Sequence, residues 1–158
     1  MKKKTGLLCL LLAAVMLLAG CGQQEPEKAA AARETRPLRE IVKSAAADAE
    51  SLAALAEEDL TDMTGIEPEE YSEFVFLQGI GMDGREILAA RAADKDAADR
   101  LVKQMEAYLE RRMKETRNYM PEAYQLQSEA KVRTRNLTVA LVVGPDAEKE
   151  TEAILADE

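Results

Sequence analysis

The sequence predicts an α+β fold, an antiparallel sheet of about four strands with helices packed on one face, in the order α-β-β-α-β-β-α. Three observations lead there. A long amphipathic pattern runs from Asp94 to Arg117, and Phe74 to Leu77 form a compact apolar run bounded by turn residues. Lys131 to Arg135 and Leu137 to Val143 face each other across Asn136, a residue that tolerates positive φ. Hairpins need only local connections, so they build antiparallel sheets, and amphipathic helices then cover the apolar face.

Taken in order, Leu38, Ile41, Val42, Ala45, Ala49, Leu52, Ala53 and Ala56 recur at three- and four-residue steps, which predicts a helix beginning at Pro37. Its stripe is shallow because it is rich in alanine, and the pattern weakens near Asp48. Gly65 stops the segment and Pro68 permits one helical turn before the strand at Phe74. Ile87 to Ala93 is ambiguous, since its alanines favour helix while its place after a glycine-rich loop favours a short strand. Asp94 then suits an N-cap, and Ala98, Leu101, Val102, Met105, Tyr108, Leu109 and Met113 make one apolar face that Pro121 cannot continue. The Leu137 to Val143 strand is apolar on both faces and should be central. Gly144 to Asp146 form a turn, and Ala147, Ile154 and Leu155 belong to a short closing helix.

The amino end carries an address. Lys2, Lys3 and Lys4 precede an apolar run from Leu7 to Leu18, which is too short to span a bilayer core of about 30 Å. Leu18, Ala19, Gly20 and Cys21 follow and resemble the bacterial lipobox. That resemblance implies cleavage between Gly20 and Cys21 and a diacylglycerol thioether on Cys21, with fatty chains such as palmitate. Two buried acyl chains, at about 0.8 kcal/mol per methylene, make a lasting membrane anchor. The expected organisation is a signal peptide over 1–20, a lipidated cysteine and tether over 21–36, and one α+β domain over 37–158. The tether would hold the domain on the order of 20 Å from the bilayer.

Composition excludes several chemistries. The 158 residues hold 21 bases, 30 acids and no histidine, a net charge of −9, which disfavours nucleic acid. Without its three leader lysines the chain would carry 18 bases against 30 acids, or −12. Cys9 falls in the leader and Cys21 carries the lipid, so no thiol remains for zinc, a disulfide or catalysis. No serine lies in a G-x-S-x-G elbow. Gly79, Gly81 and Gly84 spell G-x-G-x-x-G, but a dinucleotide loop must deliver a strand into a helix, and a flexible hairpin loop is the better reading. The acids at 57–62, 67–73 and 94–99 lack the fixed offsets of a calcium loop and suit caps and solvated faces. No metal site, catalytic residue or cofactor beyond the covalent lipid is therefore expected. Arg111, Arg112, Arg117, Tyr119 and Tyr124 combine cations and aromatics of the kind enriched in interfaces, although helix termination and core packing also account for them.

Several short segments share a further pattern. Asp62-Met63-Thr64-Gly65-Ile66, Glu86-Ile87-Leu88, then Tyr119, Pro121 and Tyr124, then Ala130-Lys131-Val132 resemble, in order and spacing over Leu38 to Ile154, the small lipoproteins catalogued as domain of unknown function 4358. Those come mostly from clostridia-like Gram-positive bacteria. Thr64 departs from the pattern, which has an aromatic residue before the glycine. The resemblance implies that Glu86 to Ala92 is a strand, and it implies no activity. The expectation is a non-enzymatic lipoprotein at the extracytoplasmic face of the cell membrane, binding an unidentified envelope protein or component. The alternative is a small-ligand or cation-binding accessory to a transporter.

Overall fold

The structure is a computed structural model that describes residues 36–81 and 83–157. The expected signal peptide, Cys21 and all of the tether but Arg36 lie outside the described residues.

Helix α1 (Leu38–Ala45) starts after Pro37 and buries Leu38, Ile41 and Val42. Its stripe was expected to run on to Ala56, and here the structure corrects the sequence reading. The chain turns extended at Ala46, makes a 3₁₀ turn at Ala49–Ser51 and then a two-residue strand, β1 (Ala53–Ala54). Alanines bury too little apolar surface to hold a second stretch of helix, whereas β1 gains backbone partners at Leu77 and Gln78. An unexpected helix α2 (Glu57–Thr64) follows, capped where the Asp59 carboxylate accepts the Ala56 N–H at 2.9 Å and closed by Gly65 at φ 73°. Pro68–Glu70 form the expected single turn.

Strands β2 (Tyr71–Gln78) and β3 (Glu86–Ala92) pair as an antiparallel hairpin with Phe76 opposite Leu88, which resolves the ambiguous segment as strand. Helix α3 (Lys95–Thr116) opens where the Asp94 carboxylate accepts the Ala97 N–H at 2.7 Å. Replacing Asp94 with alanine should lower stability by about 1 kcal/mol through loss of this cap, read as a drop in the urea midpoint at unchanged slope. Helix α3 already ends at Thr116, and Pro121 begins α4 (Pro121–Glu129), which the sequence reading did not foresee; a proline at the first helical position loses no hydrogen bond. Strands β4 (Val132–Arg135) and β5 (Thr138–Val143) turn through Asn136 at φ 52°, and α5 (Ala147–Ala156) closes the chain.

The five strands lie in the order β1-β2-β3-β5-β4, antiparallel throughout, so β5 is interior as expected. The α+β class and antiparallel sheet hold, but the helices do not lie on one face. Leu60, Phe76, Leu88, Leu101, Met105, Tyr108 and Leu141 form one core with α2, α3 and α4. Leu38, Ile41, Val42, Leu77, Ile87, Val142 and Ile154 form a second with α1 and α5. The cause is visible in β3 and β5, where successive residues are apolar and each face of the sheet must be covered.

The sheet has two distinct ends. Glu73 accepts the Leu38 N–H and Arg91 donates to the Arg36 carbonyl, so the chain enters beside the start of β2 and the end of β3. The glycine loop between β2 and β3 lies at the opposite end.

Candidate interaction surfaces

The loop that spells G-x-G-x-x-G joins two strands, so the strand-to-helix delivery required of a dinucleotide loop is not built there. Its function is positional. Gly84 (φ 72°) presses on the first turn of α4, where an added Cβ would lie 2.5 Å from the Ala123 Cβ. The loop, the end of α3 and the start of α4 therefore share one end of the molecule. Two large apolar side chains stand out there, Ile80 at 84% and Tyr119 at 83% exposure.

The five residues singled out as a recognition edge separate. The Arg111 guanidinium lies 5.6 Å from the Tyr108 ring centre and donates to the Met63 carbonyl. Arg112 donates to Glu115 at 3.2 Å and stands 3.9 Å from Glu86. Tyr124 is half-buried, while Arg117 and Tyr119 are exposed. Arg111 is exposed as well, with its side chain 52% open to solvent.

The acid clusters serve the fold. Asp59 and Asp94 cap helices, Glu70 pairs with Arg100, and Glu73 pairs with Arg91. Among the described residues no group of three or more metal-ligating side chains converges.

Three buried charged groups escaped the sequence reading, Arg85, Glu86 and Glu150. Arg85 is 6% exposed and donates from Nε and Nη2 to both Asp48 carboxylate oxygens, from Nη2 to Glu150 and from Nη1 to the Val143 carbonyl, all at 2.8–3.0 Å. Its guanidinium holds the Asp48 carboxyl below the usual carboxylate range. Next in sequence, Glu86 is 2% exposed beside Tyr108 and Arg112, and burial pushes its carboxyl up. A carboxyl whose folded value is raised favours the native state most below its unfolded value of 4.5 and loses that contribution as pH rises. Glu86→Gln should therefore unfold at equal or higher denaturant than wild type at pH 7 and lose that advantage near pH 4. A variant weaker at both pH values would show that the charge is held by Arg112 rather than opposed by burial. The signal in the sequence was an Arg-Glu pair opening an otherwise apolar strand.

A groove of about 680 Å³ lies on the α1 and α5 face, between the outermost strand β4 and helix α5. Val142, Ala147 and Leu155 give it an apolar floor. Lys131, Arg133 and Arg135 line one side, spaced by two residues so that all three side chains leave the same face of the strand. Glu148 and Glu152, one turn apart, line the other with Thr151. The alternation of cations at 131, 133 and 135 was legible, but the neighbouring helix was needed to make it a groove.

These features define a single α+β domain, a five-stranded antiparallel sheet between two helical layers, with Arg85 held by carboxylates inside the fold and Lys131, Arg133 and Arg135 along a sheet edge. The chain belongs to the family described as domain of unknown function (DUF4358), whose family model matches residues 45–144. The match takes in every strand and helices α2, α3 and α4, and stops before α5. No curated protein and no solved structure matches the chain.

Proposed function

We propose that the protein is a membrane-anchored extracytoplasmic lipoprotein whose folded body is a non-catalytic interaction module. The observation that carries this reading is the run of three lysines, an apolar segment from Leu7 to Leu18, and Leu18-Ala19-Gly20-Cys21. Within the described residues no helix is long and apolar enough to cross a membrane, so the reading assigns anchoring to Cys21. Support for a binding role comes from what the surface offers: an open groove with unpaired cations, and exposed Ile80 and Tyr119 at the end away from where the chain enters. For the alternative, a small-ligand or cation-binding accessory to a transporter, the cations on the groove's edge disfavour a cationic ligand.

Cys21→Ala tests the anchor. Fractionation of cells expressing this variant should show the unprocessed, unlipidated precursor, while mass spectrometry of the wild-type chain shows a diacylglyceryl group on Cys21. Variant protein recovered processed and tightly bound to membranes would overturn the reading.

A further inference from the structure

We propose that the open edge of β4, with the groove beside it, is a docking site for an acidic, extended segment of a partner protein, taken up as a sixth strand of the sheet. The inference rests on the reading of the body as an interaction module and is independent of the lipid.

The first support is backbone geometry. Strand β4 ends the sheet, with β5 on one side and, among the described residues, no strand on the other. Arg135 and Thr138 close a two-residue turn, so this pair exchanges both of its hydrogen bonds. By alternation, Arg133 also bonds inward to Ala140, and the N–H and C=O of Val132 and Thr134 point to the open side. An edge of this kind is a template for another extended chain.

The second support is charge. Opposite residues of an antiparallel pair share a face, so Arg133 lies on the face of Ala140, which belongs to the α1 and α5 core. Val132 lies on the face of Leu141 and packs into the other core. Lys131, Arg133 and Arg135 thus form one exposed row. Arg36, Arg85, Arg91, Arg100, Arg111 and Arg112 all have carboxylate partners. The row on β4 has none among the described residues, nor do Arg39 on α1 and Arg117 at the end of α3, and Glu129, Glu148 and Glu152 line the same groove. A strand added outside β4 would set its alternate side chains directly beside this row, where glutamate or aspartate makes favourable cross-strand pairs and lysine is repelled. The acids of α5 stand on the far side of the row, so the cations lie between them and the docked strand.

A fluorescein-labelled peptide of about ten residues, the length of a long strand, alternating glutamate with threonine, is the probe. It is titrated by polarisation into the full chain in detergent, beside its lysine-for-glutamate counterpart. The acidic peptide should bind and the basic one should not. Arg133→Glu with Arg135→Glu should weaken binding about tenfold or more, and the corresponding lysine pair should retain most of it. Thr134→Pro should weaken it comparably, since proline removes an outward N–H and leaves the bonds to β5 in place. Unfolding midpoints confirm that each variant is folded.

Binding that survives charge reversal, or an absence of binding by the acidic peptide, overturns the proposal. So does binding that survives Thr134→Pro, which would mean an anion in the groove rather than an added strand. A wild-type dimer that Thr134→Pro dissolves would mean that a second copy holds the edge, and also overturns it. Since Cys21→Ala alters none of these readouts, failure of the anchor and failure of the docking site are distinguishable.

Discussion

Arg85→Met is expected to cost about 3–5 kcal/mol, the range for breaking a buried ion pair by removing one partner. The change strands Glu150, whose side chain is only 11% exposed, and removes the donors to Asp48 and the Val143 carbonyl. These contacts tie the 3₁₀ turn before β1, the end of β5 and helix α5 to the residue that precedes β3. Gly144 leaves room for the guanidinium, since a Cβ there would lie 2.6 Å from its Nη1. Urea unfolding of the single variant and of Arg85→Met with Glu150→Met measures the effect. The second substitution should restore part of the loss, because two apolar side chains leave no unpaired charge. A single variant within 1 kcal/mol of wild type would mean that the charges reach water and the pairing contributes little.

The same network sets an acid limit. Asp48 has its folded value lowered, chiefly by hydrogen bonding to Arg85, so its contribution is present above the unfolded value of 3.8 and is lost as pH falls through the folded value. Because Asp48 is nearly half exposed, this contribution is screened and small. Glu86 runs in the opposite direction, weakening the fold as pH rises above 4.5.

The second large effect is expected at Gly84. A non-glycine residue at φ 72° costs about 1–2 kcal/mol, and the added methyl would meet the Ala123 Cβ at 2.5 Å and its Cα at 2.8 Å. Helix backbone cannot give way as a side-chain tip can, so overpacking adds about 1–3 kcal/mol. Gly84→Ala should therefore lose about 2–5 kcal/mol, whereas Gly81→Ala, with open space around its Cβ, should lose only the backbone component. Equal losses at the two positions would show that the contact with α4 relaxes freely.

Much of this fold was legible. The β4 to β5 hairpin, the Asp94 cap, the body of α3 and α5 all follow local rules that act within a few residues. What sequence reading mistook depended on partners far along the chain. The Ala45 to Ala56 stripe has helical spacing, but the edge of β2 claims Ala53 and Ala54 for a strand, and Arg85, 37 residues away, claims Asp48. Helix α2 had its own signals, acids in the first turn and Gly65 after the last, and was simply overlooked. Of the residues read as a recognition edge, Arg117 and Tyr119 are exposed, while Arg111 donates to the Met63 carbonyl and Arg112 stands beside Glu86, contacts that depend on distant segments.

Taken alone, the order of residues determined the absence of histidine, the placing of both cysteines at positions 9 and 21, and the antiparallel α+β class, because each depends on residue identity or short-range periodicity. The tertiary structure decided that helices cover both faces, that Arg85 and Glu86 are buried, and that Lys131, Arg133 and Arg135 border a groove. Those outcomes arise from which distant segments compete for one apolar face or one charge, and side-chain burial and Coulomb attraction act through space without regard to separation along the chain.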